Sequence, residues 1–223
     1  MLTEILYFLA AFIITAILGK FIIPILKKLK VGQSERLDGP RSHLKKKGTP
    51  TMGGIMMIVT IAVLSIVASL INNEQAKVII PVAIASIGFG LVGFIDDFKK
   101  VVLKNTEGLN PKLKLLGQLV VAVIFVIFLL NYTDLGTAIK VPFTDIVLNL
   151  PVWFYIPFMI LVMLATTNAV NLTDGVDGLG GSVGAISIAA FAVVAFKSEM
   201  YGLSIFGSIC SGACARIFNI QFP

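Results

Sequence analysis

Long apolar runs separated by short polar segments dominate this chain, and their lengths set the first expectation. The runs fall at about 5–26, 53–71, 78–95, 113–131, 151–170, 180–197 and 201–219. A helix needs ~20 predominantly apolar residues to cross a bilayer, so each run has roughly the length of a transmembrane span. The pattern predicts an all-α polytopic membrane protein: one helical membrane domain over 1–223, with about seven transmembrane helices. The first run has Glu4 as its only early charge and lacks both a basic leader and a small-residue cleavage site. It therefore reads as a retained anchor rather than a signal peptide. Segment 132–150 breaks the pattern. There Gly136 and Pro142 punctuate β-prone pieces at 138–143 and 145–150, which predicts a small hairpin.

Composition agrees with lipid as the main solvent. Hydrophobic residues make up 57% of the 223 positions and charged ones 13%, and the mean hydropathy is +0.96. A soluble domain of this length needs far more polar surface. The net charge of +6 becomes informative once the basic residues are placed. Loop 27–52 and segment 96–114 together carry thirteen Lys and Arg, whereas the loops on the opposite side carry only Lys77, Lys140 and Lys197. Basic loops stay in the cytoplasm. The N-terminus and the hairpin are therefore expected outside, with the 27–52, 96–114 and 168–180 segments converging on the cytoplasmic face. Membrane lipid is the expected partner and nucleic acid is not. Cys210 and Cys214 lie in the last run and read as small packing residues.

Carboxylates are scarce, so their clustering matters. Asp96 and Asp97 are adjacent at one span end, and Asp174 and Asp177 stand three apart at another. Charges at the edge of hydrocarbon are costly and mark candidate functional sites. Neighbours on a helix point ~100° apart, so Asp96 and Asp97 cannot play the same role. One is expected to face a metal or substrate while the other pairs with Lys99, Lys100 or Lys112. Around the second pair, Gly175, Gly178, Gly180 and Gly181 predict an irregular backbone, and Thr167, Asn168, Asn171 and Thr173 add polar side chains in what should be apolar helix. A third element, Lys45-Lys46-Lys47-Gly48-Thr49-Pro50-Thr51-Met52-Gly53-Gly54, offers ammonium groups, hydroxyls such as that of Thr51, and backbone N–H groups to a phosphate. It is not a Walker loop, because no lysine follows its glycines. Carboxylates for a hard cation and lysines for phosphate, on one membrane face, form a kit for Mg²⁺-assisted phosphoryl transfer. His43, the lone histidine, is assigned no role.

Three strings carry a resemblance that extends over the whole chain. They are Lys47-Gly48-Thr49-Pro50-Thr51-Met52-Gly53-Gly54, Gly93-Phe94-Ile95-Asp96-Asp97-Phe98, and Asn168-Ala169-Val170-Asn171-Leu172-Thr173-Asp174-Gly175-Val176-Asp177-Gly178. The chain resembles the phospho-N-acetylmuramoyl-pentapeptide-transferase (translocase I) family, within the polyprenyl-phosphate N-acetylhexosamine-1-phosphate transferase superfamily. The resemblance implies transfer of phospho-MurNAc-pentapeptide from UDP-MurNAc-pentapeptide to undecaprenyl phosphate, giving lipid I and UMP in peptidoglycan synthesis, with Mg²⁺ as cofactor. It implies Asp96, Asp97 and Asp174 as catalytic residues, with Asp97 and Asp174 holding the metal. Lys46, Thr51, Lys112, Asn168, Asn171 and Asp177 would bind substrate. A homodimer in the bacterial inner membrane is also implied. Members have ten spans and continue into a third acidic motif and a His-rich loop, so this chain is expected to be shortened at its C-terminus. Two other readings stand beside this one. The first is GlcNAc-1-phosphate transfer to the same lipid carrier. The second is a non-catalytic membrane protein, such as a transporter, in which charges would sit near mid-span rather than at one face.

Overall fold

The computed structural model describes residues 1–28, 52–101, 108–133, 136–141, 144–174 and 178–221. Seven α-helices form there: α1 Leu2–Lys28, α2 Gly54–Ile71, α3 Asn73–Val101, α4 Pro111–Tyr132, α5 Val152–Thr173, α6 Leu179–Lys197 and α7 Tyr201–Gln221. Six of them, α1 to α6, are long and apolar enough to cross a membrane. Their faces carry outward-pointing Ile, Leu, Val and Phe throughout, among them Phe21, Leu70, Ile84, Ile124, Leu161 and Phe191. Outward apolar side chains are the mark of helices solvated by lipid, and the chain is a multi-pass membrane protein.

Local chemistry sets the helix ends. The Asn110 side chain accepts from the Lys112 N–H and Pro111 occupies the first turn, so α4 starts abruptly. Only Asn72 separates α2 from α3, capping the Ala68 carbonyl through its own N–H. As a result α3 begins five residues before the apolar run at 78 and continues through Val101, which brings Asp96 and Asp97 inside its last turns. Likewise α5 runs on past 170 to Thr173, so Asn168 and Asn171 are helical. The irregular backbone expected after it is present at Gly178, whose φ of +76° caps α6 in the left-handed region that glycine tolerates, whereas Gly180 and Gly181 are helical within α6 and Gly175 lies outside the described residues. The expected hairpin is a short one: β1 Ala138–Lys140 pairs antiparallel with β2 Val147–Asn149, Ile139 opposite Leu148.

Close contacts give the direction of each helix. Ser204 Oγ donates to the Ala192 carbonyl at 3.0 Å and Ser211 Oγ to that of Ala185 at 2.8 Å, so α7 runs antiparallel to α6. Gly212 lies against the Phe8 carbonyl and the Arg216 guanidinium over the Phe12 ring, so α7 runs parallel to α1. Asn168 meets Gln118 while Asn171 meets Lys114, so α4 and α5 are antiparallel. The C-terminal ends of α1, α3, α5 and α7 and the N-terminal ends of α4 and α6 therefore share one end of the bundle.

At the centre stands α7. It packs against α1, α2, α3 and α6, and Ser204, Ile205, Phe206, Ile209, Cys210, Ser211, Ala213 and Cys214 are all buried. Water cannot drive helices together inside lipid, so close backbone approach and interhelical hydrogen bonds do the work. Gly207 lets α7 touch Ala192, and a Cβ at Gly212 would collide with the Phe8 main chain. The Thr15 and Thr60 hydroxyls bond each other at 3.0 Å between α1 and α2, both fully buried. Both thiols, Cys210 and Cys214, are free and packed in this core, as small residues should be.

Candidate functional site

Asp96 is the organising charge at the shared end of the bundle. It is 5% exposed, unusually buried for a carboxylate. Three donors compensate. Its Oδ1 accepts the Leu109 main-chain N–H at 2.8 Å, and its Oδ2 accepts Lys100 Nζ at 2.8 Å and Lys114 Nζ at 3.2 Å. Lys100 is one helical turn away on α3, whereas Lys114 reaches across from α4. The loop carrying Leu109 can approach because Gly108 adopts φ +72° and because a Cβ there would lie 2.6 Å from Asp96 Oδ1. Backbone conformation and lack of a side chain are both needed at that position.

The network continues to α5. Lys114 Nζ also donates to Asn171 Oδ1 at 3.5 Å, tying three helices together through one ammonium group. One turn deeper, Asn168 Nδ2 donates on two sides, to Gln118 Oε1 at 2.9 Å and to the Leu164 main-chain carbonyl at 2.8 Å. Gln118 is itself buried. Thr167 and Thr173 instead return their hydroxyls to their own helix, to the Met163 and Ala169 carbonyls. They are polar lining of α5 rather than part of the cluster.

Asp97 behaves differently from its neighbour. Its side chain is 43% exposed, and its Oδ1 stands 3.8 Å from Lys100 Nζ. It lies within electrostatic reach of Lys100, Asp96, Lys114 and Asp174. Asp174 follows the last turn of α5, and its carboxylate packs on the start of α6: a Cβ at Gly180 would come within 2.8 Å of Asp174 Oδ1. Glycine is required there for the carboxylate to approach, and a helix N-terminus is a favourable neighbour for an anion.

The structure thus brings Asp96, Asp97, Asn168, Asn171 and Asp174 to one end of the bundle and divides the paired aspartates as their geometry requires, one buried and paired, one open. Lys112 is placed otherwise. Its side chain is exposed at the start of α4, and the lysine that enters the cluster is Lys114, two positions on. Two residues along a helix rotate a side chain ~200°, so the pair cannot face the same way. Gln118 and the Leu109 N–H are further members that sequence reasoning did not single out. Lys46, Thr51 and Asp177 lie outside the described residues.

The chemistry of this donor set suits a hard divalent cation. Among the described residues no three His, Cys, Asp or Glu side chains form a ready-made cage. Mg²⁺ does not need one, since it is commonly held by one or two carboxylates while phosphates and water fill the other positions. Asp97 and Asp174 offer that pair, next to two lysines able to bind phosphate oxygens.

Comparison with known proteins now adds to the geometry. Residues 79–221 match the model of the family described as glycosyl transferase family 4. The chain is 45% identical over 203 residues to a phospho-N-acetylmuramoyl-pentapeptide-transferase of Halalkalibacterium halodurans, covering 91% of this chain and 62% of that protein. It is 41% identical over 215 residues to that of Bacillus subtilis, covering 96% and 66%, and 44% identical over 202 residues to that of Staphylococcus carnosus, covering 90% and 61%. The chain spans somewhat less than two thirds of the length of these curated relatives.

Proposed function

This chain belongs to glycosyl transferase family 4, and from that membership and the lysine–aspartate cluster at one bundle end we propose that it carries the phosphate-handling site of a Mg²⁺-dependent transferase. The substrates on this reading are UDP-MurNAc-pentapeptide and undecaprenyl phosphate, and the products are lipid I and UMP. The names of its relatives support the reaction. The carrying observation is Lys114, which binds Asp96 and Asn171 at once beside the open carboxylate of Asp97.

An oxygen of the lipid phosphate would attack the sugar-bearing phosphorus of the nucleotide. The bond from that phosphorus to the bridging oxygen breaks, and UMP leaves with the electron pair. Such a transfer gathers negative charge, and catalysis lies mostly in positioning and neutralising it. Mg²⁺ held between Asp97, Asp174 and the substrate phosphates would supply charge neutralisation. Lys100 and Lys114 would add ammonium groups, and Asp96 would hold both at fixed positions. Asn168, locked by Gln118, would keep the α5 face carrying Asn171 in register. The test is radiolabelled transfer by the complete gene product in detergent. Mg²⁺-dependent lipid I formation, abolished by EDTA and restored by added Mg²⁺, is expected. Transfer of GlcNAc-1-phosphate instead, or transfer indifferent to chelation, would sink the reading.

The site would face the cytoplasm of the bacterial inner membrane, with the N-terminus and hairpin outside and the enzyme a homodimer. Support for the orientation comes from the thirteen basic residues in the 27–52 and 96–114 segments. In a cysteine-scanning series on a Cys-less background, a cysteine at position 104 should react with an impermeant maleimide only after the cells are opened, and one at position 140 in intact spheroplasts. The opposite pattern would invert the topology.

A further inference from the structure

Among the described residues, all but two of the Lys and Arg sit in the hairpin or in the first or last five residues of a helix. The two exceptions are Lys20, within α1, and Arg216, within α7. They line the same pocket, a recess of about 220 Å³ whose other walls are Ala16, Gly19, Ile23 and Pro24. Two cations at membrane depth in one recess repel each other and are costly to desolvate, so they default to a binding role with a counter-charge.

No such counter-charge comes from the described residues of either helix. The one carboxylate of α1, Glu4, lies sixteen positions before Lys20, about 24 Å along the axis. It is already bonded to the N-terminal ammonium at 2.7 Å. The Arg216 guanidinium stacks 5.6 Å over the Phe12 ring, an arrangement that holds a cation by its face and leaves its edge for an anion. Its Nε is enclosed by protein without a hydrogen-bond partner, so an anion in the recess would be met by the terminal guanidinium nitrogens instead.

We propose that this pocket between α1 and α7 binds the phosphate of an anionic phospholipid headgroup, with Arg216 as the hydrogen-bonding ligand and Lys20 as the second charge. Location argues for a lipid rather than a free anion. Ile17, Phe21 and Ile25 on the same stretch of α1 are exposed and therefore bathed by acyl chains, a medium closed to a soluble ion. The pocket lies toward the bundle end that carries Asp96, since α1 and α7 both run to that end, so the lipid would come from the leaflet on that side. Because α7 packs on four other helices, a lipid clamped to it would brace the core.

Native mass spectrometry of the purified chain tests this, with phosphatidylglycerol and phosphatidylcholine in equal amounts. One phosphatidylglycerol should be retained per chain in preference to phosphatidylcholine, whose ammonium neutralises its phosphate. Each basic side chain contributes on the order of a fivefold gain toward anionic lipid. Lys20→Gln and Arg216→Gln should each lower that preference by about fivefold and the double variant by about thirtyfold, while Arg216→Lys keeps most of it. Equal retention of the two lipids by the unaltered chain overturns the proposal, whatever the variants do. So does unchanged preference in folded Gln variants, or displacement of the lipid by millimolar inorganic phosphate.

Discussion

Asp97→Asn and Asp174→Asn, made separately in the complete gene product, should each lower lipid I formation by about three orders of magnitude. Removing one charged ligand from a phosphoryl-transfer centre costs several kcal/mol of transition-state stabilisation, and each ~1.4 kcal/mol is tenfold in rate. The fold should survive both changes. Asp97 is 43% exposed and its ion pair with Lys100 is stretched to 3.8 Å, a contact worth little to stability in a wet setting. The melting temperature is therefore expected to stay within a few degrees while kcat collapses. Titrating Mg²⁺ separates two ways of failing. A variant that recovers at high Mg²⁺ has lost metal affinity, whereas one that stays inactive has lost placement of the phosphates. Near-normal turnover by either variant at saturating Mg²⁺ would remove that residue from the site.

The membrane bundle was legible in the sequence because hydrocarbon imposes lengths: an apolar run either spans or it does not. Seven runs became seven helices, of which α1 to α6 are long and apolar enough to cross a membrane. The bounds moved where polar residues belong to a helix, as at 73–77 in α3 and 171–173 in α5, since hydropathy marks the membrane and not the hydrogen-bonded turn. The central place of α7 was less visible. Its Gly, Ser and Cys residues lower its apolar contrast, yet those small side chains are what let four helices crowd around it.

At the site, the clustering of aspartates showed which residues to watch, because carboxylates are rare in such a chain. Which lysine joins them was a matter of rotation. Lys112 and Lys114 are equivalent in composition, and only the facing of α4 toward α5 selects Lys114. A signal for it did exist. Lys114 and Gln118 are four apart, polar on one face of an otherwise apolar helix, opposite Asn168 and Asn171 three apart on α5. Two polar stripes at matching helical spacing predict a seam. The Leu109 N–H could not have been found this way, since a main-chain donor leaves no mark in the sequence.

Asp96→Asn should be the most disruptive single change to the scaffold of the site. Asn matches Asp in shape, so its oxygen could still accept from the Leu109 N–H. Its NH₂ group would then stand where Oδ2 now receives Lys100 at 2.8 Å and Lys114 at 3.2 Å, a donor facing two ammonium groups. Breaking a buried ion pair from one side costs about 3–5 kcal/mol. The lower end applies here, because Lys100 is 40% exposed and can turn to water while Lys114, at 18%, is less able to. A loss of about 3 kcal/mol is expected, with a clear drop in thermal midpoint and turnover falling at least a hundredfold as Lys100 and Lys114 leave their positions. Pairing the change with Lys114→Gln distinguishes anchoring from chemistry. A neutral amide opposite Asn removes the clash with the less exposed of the two ammonium groups and leaves only Lys100, which can turn to water, so the double variant should regain much of the stability, giving an interaction energy of about 1–3 kcal/mol between the two sites. It should regain none of the activity, because the ammonium that joins Asp96 to Asn171 is gone. Strictly additive stability losses in the two single variants would show that Lys114 and Asp96 are not coupled, and the site would then have to be organised by some other contact.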